Sequence, residues 1–138
     1  MSTASMEGRC SPVTAATAGA AAIARARAEV ARELEGFASQ PVGAAFAVGG
    51  SARALRRLYG SRLGGGELTE AVELLSFTPG AELSGRFGVS LARAATLPAG
   101  TVILEALQAR LEVPLKVSRT GLRHGALLEL AERQLAAA

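Results

Sequence analysis

The 138-residue sequence predicts a helix-rich α/β fold with too few strands to complete a sheet of its own. Three observations lead there. Val42–Val48 is a short uncharged run bounded by Pro41 and Gly49, the pattern of a strand buried on both faces. Ser51 then opens an amphipathic segment after the Gly49-Gly50 turn, giving strand, tight turn and helix. A second strand-like run, Val113–Val117, lies beyond several helical segments, and parallel strands need such crossover connections. Two strands make a poor sheet, because stable sheets generally hold at least three. The missing strands are therefore expected from a partner chain, a second copy or a larger α/β domain.

Taken in order, residues 1–12 read as a flexible polar lead and residues 13–138 as one domain. A long helix is expected from about Thr14 to Phe37, with Ile23, Val30, Leu34 and Phe37 on one face and Gly36 near its end. The strand Val42–Val48 follows. Ser51 is placed to cap the next helix, which runs to Leu58. Gly60 and Gly64-Gly65-Gly66 read as a flexible linker, since the triplet lacks the Lys-Ser/Thr that completes a P-loop. Thr69 caps a short helix to Phe77, which Thr78-Pro79-Gly80 ends, and Glu82–Phe87 forms a turn or short helix before Gly88. Ser90–Thr96 reads as a helix broken at Pro98, with a second, largely buried helix from Pro98 to Leu111. Its wide apolar face is Val102, Ile103, Leu104, Leu107 and Leu111. The strand Val113–Val117 precedes a final helix, about Gly121–Leu135, with Leu127, Leu128, Leu130 and Ala131 turned inward.

Hydrophobic residues make up 49% of the chain but aromatics only 4%, so Phe37, Phe46, Phe77 and Phe87 are the few large rings available to a core. The net charge of +3 comes from fourteen arginines and one lysine, Lys116, mixed with glutamates at helical spacing. That is a solvated mixed-charge surface, without the dense basic clusters and stacking aromatics of nucleic-acid binders. Cys10 is alone, which leaves no intramolecular disulfide and, with the single His124, no metal cluster. No run approaches the roughly 18 apolar residues of a membrane span, and no basic signal-peptide start precedes one. The expected compartment is the cytoplasm, with no nucleic-acid or membrane partner.

Chemistry concentrates at the Gly49-Gly50-Ser51 turn. Glycines there bring backbone N–H groups to a helix N-terminus, which favours an anion, although many α/β turns use glycine for geometry alone. Four segments, AVGGSARALRRLYG, LTEAVELL, GVSLARAATLPAGTVILEALQARL and PLKVSRTGLRHGALLEL, stand in that order. Together they resemble the exopolyphosphatase/guanosine pentaphosphate phosphohydrolase (Ppx/GppA) family of the actin-like ATPase (ribonuclease H-like) superfamily. The resemblance runs from about Pro12 to Leu135.

The resemblance implies two ribonuclease H-like domains in a complete family protein, with phosphate and Mg²⁺ held in the cleft between them. This chain resembles the later part of the second domain only. The Asp-x-Gly-Ser-type phosphate loop and catalytic glutamate of the family's first domain, and the Asp-x-Gly-Gly-Gly-Ser loop that opens the second, are not among its residues. Gly49, Gly50 and Ser51 match the cleft-facing glycine turn. Ser118, Gly121, Leu122, Arg123 and Gly125 match the closing Ser-x-x-Gly-Leu-Arg-x-Gly turn, and Arg93 matches the arginine of an Arg-Ala-Asp stretch. Candidate phosphate ligands are thus Gly49, Gly50, Ser51 and Arg123, supported by Ser118, Gly121 and Gly125. Arg123 either forks onto a phosphate or packs at the sheet end.

The chain departs from the family at three acids: Ala95, Arg119 and His124 stand where carboxylates are usual. His124 reads either as a general base or, without an aligned nucleophile, as a surface histidine. No catalytic residue and no metal ligand set is identified within the chain. The expectation is a phosphoanhydride hydrolase family domain, inactive alone, that meets polyphosphate or guanosine polyphosphate and a missing N-terminal half or homodimer partner. The alternative is a non-catalytic binding or dimerisation module.

Overall fold

A computed structural model describes residues 17–37 and 40–137. The expected flexible lead over residues 1–12 and the lone Cys10 lie outside the described residues. In chain order the elements are α1 (Ala20–Glu33), β1 (Ala45–Ala47), α2 (Gly50–Tyr59), β2 (Arg62–Leu63), α3 (Gly65–Phe77), α4 (Gly80–Phe87), α5 (Leu91–Leu111), β3 (Leu115–Val117) and α6 (Leu122–Ala136). The helix-rich α/β expectation holds, with one strand more than the sequence suggested. β2 is only two residues long, too short to show an alternation of its own.

The sheet order is β1-β3-β2, with β1 parallel and β2 antiparallel to β3. The register places Phe46, Lys116 and Arg62 side by side in one row across the three strands. Ala47, Leu63, Leu115 and Val117 are buried against α2 and α3, so the helices cover one face of the sheet. The expectation that β1 is buried on both faces fails at Phe46, which is 68% exposed on the open face.

α5 is the pillar on which α1, α2, α3 and α4 pack. The expected break at Pro98 is absent: α5 runs unbroken from Leu91 to Leu111 with a buried Pro98. Proline removes one helical amide and crowds the preceding turn. Hydroxyls on either side add bonds to the helix backbone, Thr96 donating to Arg93 O and Thr101 donating to Leu97 O at 2.8 Å. Burial of Ala94, Leu97, Thr101 and Val102 then outweighs the local preference. Ile103, expected in the apolar face, is 45% exposed. The Gly64–Gly66 stretch is not a linker, because its last two glycines begin α3; the Gly64 N–H donates to the Glu67 carboxylate and closes the first turn. Thr69 therefore lies inside α3 and donates to Glu105 of α5. Glu105 also receives both arms of Arg27 from α1, at 2.8 and 2.9 Å, and that hydrogen bonding raises the Arg27 pKa above its usual value.

Among the four rings only Phe87 is fully buried; Phe37, Phe46 and Phe77 are exposed. The leucines of α6 are not turned inward either. No residue of α6 is buried. Periodicity located the apolar face of this helix, but no described element packs along it.

Ser51 does not cap α2. The N-cap is Gly49, whose φ of 106° demands glycine, and Ser51 lies against α5. A Cβ added at Gly100 would fall 2.9 Å from the Ser51 Cβ, so these two helices meet backbone to side chain. Gly100→Ala is expected to lower stability by about 1–3 kcal/mol through overpacking, measured by urea unfolding.

Candidate functional site

β1 ends at Ala47, and the chain turns through Gly49 into α2. Arg53, Arg56 and Arg57 follow at helical spacing, so their side chains leave one side of α2. Tertiary packing adds Arg93 from the first turn of α5 and Arg119 from the loop after β3. With Gly50, Ala54, Gly60, Ser61 and Val89 these five arginines line an open basin of about 660 Å³. No carboxylate is among the lining residues, and none of the five arginines takes part in an ion pair among the described residues.

Two of the arginines are held in place. A Cβ at Gly50 would sit 2.8 Å from Cζ and Nη1 of Arg93, so the guanidinium rests directly on the glycine backbone. That contact places a cation over the first residue of α2, where unpaired helix N–H groups already favour negative charge. The Arg93 backbone is fixed by Ser90, whose Oγ accepts from the Arg93 N–H at 3.2 Å. Arg57 donates to the carbonyls of Phe87 and Gly88, the latter at 2.9 Å, at the left-handed cap that ends α4. Five guanidiniums along α2, with its N-terminus at Gly50 at one edge of the basin, can bind an anion with several phosphate groups by forked, charge-assisted hydrogen bonds.

The residues nominated from sequence are divided by the fold. Gly50 lines the basin, and Gly49 sets the turn that leads into it. The Ser51 side chain turns away toward Gly100. Arg93 and Arg119, singled out as a motif match and a departure, meet at the basin. Ser118, Gly121 and Gly125 instead line a second concavity with Val48, Leu122, His124, Leu127 and Leu128. Within it the Ser118 Oγ accepts from the Thr120 N–H at 3.2 Å, shaping the loop into α6. Arg123 is exposed on the first turn of α6 and lines neither.

Arg53, Arg56 and Arg57 had passed as a solvated helix face. The signal was present: from Gly36 to Gly66 the chain has no Asp or Glu, so these cations have no local partner. Among the described residues no three His, Cys, Asp or Glu side chains are grouped to hold a metal. No single described helix is long and apolar enough to cross a membrane.

No family model matches the chain, and no curated protein matches it in sequence. Solved structures do. A crystal structure of the Aquifex aeolicus Ppx/GppA family member aligns at a TM-score of 0.72 and 25% identity over 83% of this chain. The type II variant of the Aquifex aeolicus Ppx/GppA phosphatase aligns at 0.69 and 26% identity over 80% of it. A further structure of the Aquifex aeolicus PPX-GPPA enzyme aligns at 0.68 and 25% identity over 79%. The chain spans only 41–42% of the length of these proteins, and the shared portion is their C-terminal part. The family resemblance read from the motifs is thereby matched in three dimensions.

Proposed function

We propose that this chain, similar in fold to the C-terminal part of Ppx/GppA proteins, is the anion-gripping portion of a phosphoanhydride hydrolase. The observation that carries the reading is the basin of five arginines, none ion-paired among the described residues, which runs along α2 from Gly50 to Gly60. Inorganic polyphosphate and the phosphate tail of a guanosine polyphosphate share the chemistry it fits: closely spaced phosphates with oxygens facing every direction. Arg93 and Gly50 would hold the phosphate nearest the helix N-terminus, and Arg53, Arg56, Arg57 and Arg119 those that follow.

Hydrolysis of a phosphoanhydride also needs a positioned base or water-orienting group and neutralisation of the transferred phosphoryl charge. The basin supplies positive charge and offers no carboxylate to orient water. Its guanidinium lining does not suit a divalent cation, and the Mg²⁺ expected of a complete family enzyme would need ligands from elsewhere. The chain therefore binds without turning over, its catalytic groups belonging to the portion of Ppx/GppA proteins outside the match. The expected setting is the cytoplasm.

Calorimetric titration with medium-chain polyphosphate, paired with phosphate release in Mg²⁺, tests this. Saturable binding without release is expected; no binding, or turnover by the chain alone, would refute it.

A further inference from the structure

Gly50 and Gly60, at the two ends of α2, both line the arginine basin, so it follows the whole helix. The 10 residues of α2 at helical rise make that length about 15 Å. The chain from Gly88 to Arg93 meets α2 in the opposite order. Arg57 donates to the Gly88 carbonyl towards one end, and the Arg93 guanidinium rests on Gly50 at the other. Arg53 and Arg56 lie between along the helix, and Arg119 adds a cation from the loop after β3. The cations of α2 are spread along a line.

The same lining offers little to a nucleoside. It holds no aromatic ring on which a base could stack, and no carboxylate or side-chain amide to meet a Watson–Crick edge. A guanidinium can fork onto O6 and N7 of guanine, but that withdraws it from a phosphate, which carries the charge.

On the reading that this basin is the anion site, we propose that it selects by the number of phosphates in one unbroken row. Linear inorganic polyphosphate is therefore preferred to a guanosine polyphosphate with as many phosphates. Once one phosphate is gripped between Gly50 and Arg93, its row presents the next ones to Arg53, Arg56 and Arg57 at high effective concentration. Guanosine pentaphosphate divides its phosphates between two ends of a ribose, so only a short run reaches the line of cations. A free tripolyphosphate fills part of the basin.

The test is the affinity of the 138-residue chain for a length series of linear polyphosphates and for guanosine pentaphosphate, in Mg²⁺-free buffer. Corrected for the number of equivalent binding frames, affinity should rise at least about tenfold from tripolyphosphate to the eight-phosphate chain, then level off. Guanosine pentaphosphate should bind at least about tenfold more weakly than linear pentaphosphate. Arg56→Ala, checked for folding by circular dichroism, should weaken the eight-phosphate chain about tenfold and tripolyphosphate less than about threefold. That length-dependent loss separates a contact along the row from a general loosening of the site. Equal corrected affinities for the short and long chains would overturn the proposal and leave the anion site standing. So would guanosine pentaphosphate binding as tightly as linear pentaphosphate, or equal losses on Arg56→Ala. Binding of none of these compounds would remove the anion site and the proposal together.

Discussion

Arg93→Glu is expected to weaken polyphosphate binding at least 100-fold. A hydrogen bond to a charged group is worth a factor of roughly 10–100 on removal, and reversal adds repulsion where the phosphate would sit. Arg93 stands at the Gly50 end of the basin, its guanidinium against the Gly50 backbone and its own N–H bonded to Ser90. Gly50→Val should act in the same direction, because the new side chain occupies the space of the guanidinium. Arg123→Ala, outside the basin, should change affinity by less than about threefold. Titration calorimetry of the three variants gives the ranking. Equal losses for Arg93→Glu and Arg123→Ala would place the anion at the closing turn instead.

Phe87→Ala is expected to remove about 3–5 kcal/mol of stability, a large share of the 5–15 kcal/mol typical of a domain. Phe87 is the one ring fully inside the described core, at 0% exposure among leucines of α2, α3, α4 and α5. Its removal leaves a cavity where α4 ends and the chain turns into α5; these two helices lie at 90° to one another. The Phe87 carbonyl also accepts from Arg57, so collapse there would reach the basin. Phe77→Ala is the matched control. At 73% exposure it should cost under about 0.5 kcal/mol, and urea unfolding separates the two.

The parts legible in the sequence were those in which local pattern and tertiary role agree. An uncharged run, a glycine pair and an amphipathic segment gave β1, its turn and α2, because each residue type there answers a backbone requirement such as the positive φ of Gly49. Pro98 misled because its local penalty is offset by packing of α5 against four other helices, which no short window contains. The α6 leucines misled for a related reason: periodicity defines a face but not what lies opposite it. The basin was half legible. Gly50 and Arg93 came from motifs, whereas Arg56 and Arg57 resembled any solvated helix face until α5 and the β3–α6 loop brought Arg93 and Arg119 beside them. An acid-free span from Gly36 to Gly66 was the available clue.

The most direct measurement is a nuclear magnetic resonance titration of labelled chain with polyphosphate, following backbone amides and arginine Nε–H groups. Shifts that saturate together at Gly50, Arg53, Arg57, Arg93 and Arg119, with Arg123 and Gly125 unmoved, are the expected result. Shifts centred on Ser118–Gly125, or none at the α2 arginines, would contradict the basin as the site of anion binding.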